Sequence, residues 1–174
     1  MNYKELSQKA HGNAVGHGFW EEDWSNEHCL MLIISEVSEM VEAYRKGLRA
    51  NVEEFNEIPN KQLAFEKFIK NTMEDEIADI FIRLCDLAGA RNISFDNKYK
   101  MNTLVIDKDF SLIEKAFFLT RYLCHNYVSI NFKINNALKF MEDLAQDLNV
   151  DLEFFVTRKM EYNYWRPYKH GKQF

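Results

Sequence analysis

Residues 25–47 read SNEHCLMLIISEVSEMVEAYRKG, and the fold follows from this stretch. Leu30, Ile33, Ile34, Val37, Val41 and Tyr44 recur at helical spacing and make one broad apolar stripe. Ser25 or Asn26 can cap the start, and Gly47 stops the helix after about Lys46. At about 100° per residue, Ser35, Ser38, Glu42 and Arg45 form the opposite, wet face. Glu36 does not belong to that face. It borders the stripe, on the side of Cys29, Leu32, Met40 and Ala43, while Glu39 lies between the two faces. A carboxylate on an apolar side is costly to bury unless it meets a cation or hydrogen-bond donors.

A second stretch carries the same spacing. Residues 75–79 read DEIAD, with Glu76 and Asp79 placed like Glu36 and Glu39. They belong to a helix from Thr72 to Ala90 whose inward residues are Met73, Ile77, Ile80, Phe81, Leu84, Leu87 and Ala88. Glu76 borders this stripe. Asp79 falls among Asp75, Arg83 and Asp86, on a face that reads as solvated, so only its spacing from Glu76 marks it as a ligand candidate. Side chains three apart on a helix point the same way. Two such helices side by side gather four carboxylates, which repel unless a cation lies between them. Mg²⁺ or Mn²⁺ suits an all-oxygen donor set.

The remaining chain reads as further helices. Residues 4–18 form one, through Leu6, Ala10 and Ala14, with His11, Asn13 and His17 on it and Gly18 as its stop. Phe19, Trp20 and Trp24 follow in a short acidic loop, either closing one end of the core or stacking on a planar ligand. Residues 48–60 read as a polar loop, and 61–71 restart a helix. Residues 91–110 form a connector. Packing helices follow over about 111–129, capped by Asp109 or Ser111, and about 133–148, ended by Asn149. In the first of these, Ile113, Phe117 and Cys124 read as apolar and His125 as a hydrogen-bonded core histidine. The last helix runs from near Asp151 to about Asn163, and Pro167 prevents its continuation. Lys159, Asn163 and Arg166 share one face of it, a cationic and amide-bearing set that suits phosphate oxygens or simply a solvated basic tail.

The totals bound the classes. The chain has 174 residues, 47% of them hydrophobic, with 6 Gly and 2 Pro, which fits a single all-α domain over residues 1–174. The longest uncharged apolar run, Cys29 to Ser35, is far short of the ~20 residues a membrane span needs. A net charge of −5 gives no basic field, so no stable nucleic-acid binding is expected. Cys29, Cys85 and Cys124 are scattered on apolar helix faces, without a C-x-x-C pair or a signal segment, which fits a reducing, cytoplasmic setting.

Taken together, four blocks resemble the MazG-like all-α nucleoside triphosphate pyrophosphohydrolases. They are Asn13-Ala14 … Gly18-Phe19-Trp20, the Glu36–Glu39 context, the Glu76–Asp79 context, and Lys159 … Asn163 … Arg166 through Lys172. The resemblance covers residues 4–90 and 150–174, leaving the helices over 111–148 unaccounted for. It implies a four-helix core with additional packing helices, residues 48–70 and 91–149 being insertions. It implies that Glu36, Glu39, Glu76 and Asp79 hold Mg²⁺, with Glu36 or Glu39 orienting water. Lys159, Asn163 and Arg166 would contact the triphosphate or sugar, and Asn13 and Trp20 would line a base pocket. The implied reaction turns a (d)NTP and water into a (d)NMP and pyrophosphate, in a homodimer or tetramer. Ser35 departs from the acid often found at that position in the family and leaves room for a non-catalytic bundle that binds a nucleotide or a protein partner. A di-iron carboxylate bundle needs Glu-x-x-His pairs, and none of the 5 histidines has a Glu three residues before it. A plain structural bundle would leave the half-buried acids without a purpose.

Overall fold

The computed structural model describes residues 1–95 and 109–171. Within them every regular element is helical: α1 (Tyr3–Gly16), α2 (Asn26–Arg45), α3 (Val52–Glu57), α4 (Lys61–Phe68), α5 (Met73–Ala90), α6 (Leu112–Leu123), α7 (Ile130–Asp147) and α8 (Leu152–Tyr164), then a 3₁₀ turn, Tyr168–Gly171. The all-α expectation holds. Most of the expected connector 91–110, and Lys172, lie outside the described residues. No helix among the described residues is long and apolar enough to cross a membrane.

The caps explain most boundaries. Ser25 Oγ accepts from the His28 N–H at the start of α2, and Thr72 Oγ1 accepts from the Asp75 N–H at the start of α5. Ser111 and Glu114 form a reciprocal capping box on α6. Gly47 (φ 68°) and Asn149 (φ 54°) take the left-handed conformation that stops α2 and α7.

α5 is the centre of the molecule. It packs against α1, α2, α7 and α8, and none of its residues is exposed. Gly89 lets α1 approach closely: a Cβ there would lie 2.6 Å from both the Ser7 carbonyl oxygen and the His11 Cβ. The buried apolar cluster draws residues from Ala10 in α1 to Tyr162 in α8.

Several expectations need correction. The loop expected over 48–60 contains α3, capped by Asn51, which accepts from the Glu54 N–H at 3.1 Å. Phe55 anchors it, 2% exposed and edge-on to Phe154 at 5.9 Å. A helix of 6 residues is too short to show a period in the sequence. α6 ends at Leu123 rather than near 129, which leaves Cys124 and His125 exposed, so His125 is not a core histidine. Ile113 and Phe117 are exposed as well, because α6 buries only its other face, through Leu112, Ala116, Leu119 and Leu123. α7 begins at Ile130, where Ser129 caps it.

Candidate functional site

All the residues marked in the sequence as site candidates line one cavity of about 290 Å³: Asn13, Trp20, Glu36, Glu39, Glu76, Asp79, Lys159, Asn163 and Arg166. They come from α1, the loop after it, α2, α5, α8 and the turn beyond α8. That volume is at the small end of the ~300–1,000 Å³ typical of ligand pockets.

One end of the cavity is acidic. Oxygens of Glu36, Glu76 and Asp79 lie within 4.8 Å of one another. Glu39 stands outside this group, exposed on the cavity rim with no hydrogen-bond or ion-pair partner among the described residues. The fourth acid at this end is Asp75, 1% exposed, on the face of α5 that its sequence marks as solvated. That face is not solvated because α8 covers it. Lys159 of α8 places its ammonium 2.8 Å from Asp75 Oδ1 and 2.7 Å from Asp79 Oδ2. Asp75 also accepts from the Asn71 N–H at 2.9 Å. Arg83 donates through Nε to Glu36 at 2.6 Å.

Charge at this end is unbalanced. Asp75, Glu76, Asp79 and Glu36 bring four carboxylates, while Lys159 and Arg83 bring two cations. Glu76 bears the imbalance, for no hydrogen bond reaches its carboxylate among the described residues and it is only 4% exposed. Burial first, then the charges of Asp75 and Asp79, push its pKa up to about 8. Burial also lifts Asp75 to about 6, against the pull of Lys159. Burial opposes charge on Lys159 too, but Asp79 and Asp75 outweigh it and hold the ammonium above its ordinary pKa. Such an oxygen-only set with surplus negative charge has the chemistry to hold a hard divalent cation, although acidic clusters also occur without one.

The other end is aromatic. Trp20 donates its indole N–H to Asp86, at 2.9 Å from Oδ1 and 3.1 Å from Oδ2, and His11 Nδ1 lies 2.8 Å from Oδ1. Trp24 stacks on His28, with centroids 4.2 Å apart and an interplanar angle of 14°. Phe19, Trp20 and Trp24 all line the cavity, and Trp20 also packs against the buried core. Asn13 also lines the cavity, and its carbonyl meets His17 Nδ1 at 2.8 Å.

α8 and the turn after it form the third side. Asn163 is buried, and Arg166, just past the helix end, reaches back to Asn163 Oδ1 at 3.5 Å. Tyr162 stacks on Phe65 at 4.5 Å and donates to Glu66 at 3.2 Å, which ties α8 to α4.

Sequence reasoning missed Asp75, Arg83, Asp86, His28 and His170 as cavity or site residues. One signal was available for the α5 group: its polar positions carry Asp, Glu and Arg but no Lys, whereas freely solvated helix faces favour Lys. Ser35, where the chain departs from the resemblance, is not on the cavity. Its hydroxyl donates to the Leu32 carbonyl at 2.7 Å, within its own helix. No family model, curated protein or solved structure gives a significant match to this chain.

Proposed function

We propose that this chain is a MazG-like nucleoside triphosphate pyrophosphohydrolase that uses Mg²⁺, with Mn²⁺ as a possible substitute, to convert a (d)NTP to a (d)NMP and pyrophosphate. One observation carries the reading. Side chains from four segments, chosen by motif, meet in one cavity whose lining combines a carboxylate cluster, aromatic rings and the cations Lys159 and Arg166. That is the layout a metal-bound triphosphate joined to a planar base requires.

The residues present suit the metal. Glu36, Glu76 and Asp79 offer hard oxygen donors within 4.8 Å of one another, and Glu76 has no hydrogen-bond or ion-pair partner among the described residues. When bound, the ion would supply positive charge that neutralises the phosphates and polarises a phosphoryl oxygen. The remaining work falls to the chain. Arg83 engages Glu36 at 2.6 Å, which leaves Glu39 as the freer carboxylate to orient water and accept its proton. The water oxygen bonds to the α-phosphorus as the bridging bond to the β-phosphate breaks, and pyrophosphate leaves. Arg166 and Asn163 stabilise the leaving phosphates. Lys159 acts mainly by fixing Asp75 and Asp79, with one N–H still free for an oxygen of the substrate. Trp20 and Trp24 offer ring faces to the base.

The test is pyrophosphate release from a panel of canonical and modified NTPs and dNTPs, with Mg²⁺ and with EDTA. Mg²⁺-dependent release from at least one member is the expected result. Nucleotide binding without release would favour the non-catalytic bundle, and neither binding nor release would remove both readings. A homodimer belongs to the same proposal, supported by the apolar Ile113 and Phe117 one turn apart on the exposed face of α6. A monomer by sedimentation would remove it.

A further inference from the structure

The chain after α8 folds back across the cavity. Pro167 breaks the helix, and Lys169 (φ 46°), His170 (φ 52°) and Gly171 (φ 77°) follow in the left-handed region. Two successive non-glycine residues persist there only where the surroundings hold them. Here the hold is extensive. The Lys169 N–H donates to the His17 carbonyl at 2.8 Å, and its ammonium meets Glu21 at 3.0 Å. The Tyr168 hydroxyl donates to Glu21, and its ring fills the space over Gly18, where a Cβ would lie 2.2 Å from it. Arg166 reaches the His170 carbonyl at 3.5 Å.

These contacts wedge the His170 ring edge-on against His17 (5.2 Å) and Phe19 (5.0 Å) on the cavity wall. Its Nε2 is sealed from solvent and has no hydrogen-bond partner among the described residues. A buried polar atom left unpaired is costly, and because His170 lines the cavity a small turn of its ring lets that nitrogen regain a partner from a ligand that enters. Burial, then Arg166, hold the ring's pKa down to about 3, so it is neutral at physiological pH. A neutral imidazole can donate from Nε2. Beside Arg166, the complementary ligand atom is an anionic oxygen.

We propose that His170 is a substrate-binding residue, presented by the strap 167–171, whose Nε2–H donates to a phosphate oxygen that Arg166 also engages. The identity of the ligand rests on the pyrophosphohydrolase reading, whereas the unpaired nitrogen does not.

The experiment is calorimetric titration with Mg²⁺ and a deoxynucleotide carrying an imido bridge between its α- and β-phosphorus, alongside imidazole ¹⁵N NMR. The wild type is compared with His170→Ala and with Glu21→Gln, which loosens the strap but keeps the ring. Loss of a hydrogen bond to a charged group predicts affinity about 10- to 100-fold weaker in His170→Ala. Added imidazole should restore part of it, and the His170 Nε2 resonance should move on binding in both the wild type and Glu21→Gln. Unchanged affinity in folded His170→Ala, or an Nε2 resonance that stays put in the wild type, overturns the proposal. The NMR arm decides the matter even if His170→Ala does not fold. Binding that depends on His170 without pyrophosphate release from any nucleotide upholds the proposal and removes the hydrolase reading. Mg²⁺-dependent turnover with His170→Ala binding normally does the reverse. A wild type that does not bind the analogue overturns both.

Discussion

Lys159 of α8 shares its ammonium between Asp75 and Asp79 of α5, at 2.8 and 2.7 Å, and both Lys159 and Asp75 are almost fully buried. This pairing joins the last long helix to the central one and fixes an acid of the site in the same contact. Removing the ammonium strands a buried carboxylate. Lys159→Ala is therefore expected to lower stability by about 3–5 kcal/mol, an effect separate from any loss of turnover. Urea denaturation checks this, and a midpoint within error of the wild type would contradict it.

Glu36 and Glu39 share a helix but not an environment. Glu36 is buried against Arg83, while Glu39 stands exposed on the rim. Glu36→Gln should weaken Mg²⁺ binding and lower Tm. Glu39→Gln should leave both near wild type while reducing turnover by about 100-fold or more. Calorimetry with Mg²⁺ and pyrophosphate assays on the two variants would separate these roles. Undiminished activity in Glu39→Gln would refute its part.

Stability should fall with pH in the absence of metal, and the sign follows from Glu76. Its folded pKa of about 8 lies above the ordinary glutamate value. Between that ordinary value and about pH 8 the folded protein keeps a proton that the unfolded chain has lost, so rising pH favours unfolding. Asp75, raised to about 6, acts the same way at lower pH. His170 acts oppositely, its stabilisation being lost as pH falls below its unfolded pKa of about 6.5. Above that value Glu76 dominates. Melting in EDTA should show Tm lower at pH 8.5 than at pH 6.5, and Mg²⁺ should narrow the gap. A Tm that climbs across this range in EDTA would contradict the assignment.

Glu76→Gln isolates the same group. It removes the titration, so Tm in EDTA should become nearly flat between pH 6.5 and 8.5. Mg²⁺ should then no longer raise Tm. Retained Mg²⁺ stabilisation would show that Glu76 is not a ligand.

Trp20 is fixed by its indole N–H on Asp86. Trp20→Phe keeps a ring at the cavity but takes the indole donor from the half-buried Asp86 carboxylate, at a cost of about 1 kcal/mol. Nucleotide binding should quench tryptophan fluorescence in the wild type and less so in this variant.

The sequence by itself determined the helices that matter. The stripes of α2 and α5, a cap at the Ser25–Asn26 start of α2, and the stops at Gly47 and Asn149 are local properties, set by spacing and by single side chains. It also singled out Glu36, because a carboxylate beside an apolar stripe is conspicuous wherever the helix packs. Only the tertiary structure decided which polar faces stay wet. The acids and Arg83 on one side of α5 look solvated in isolation, but Lys159 of α8 covers Asp75 and Asp79, Glu36 of α2 meets Arg83, and His11 and Trp20 meet Asp86. The exposure of Ile113, Phe117 and His125, and the turn that brings His170 to the cavity, were likewise beyond local reading. The physical reason is that a periodic pattern tells how side chains divide around one helix, whereas burial depends on which partner covers each side.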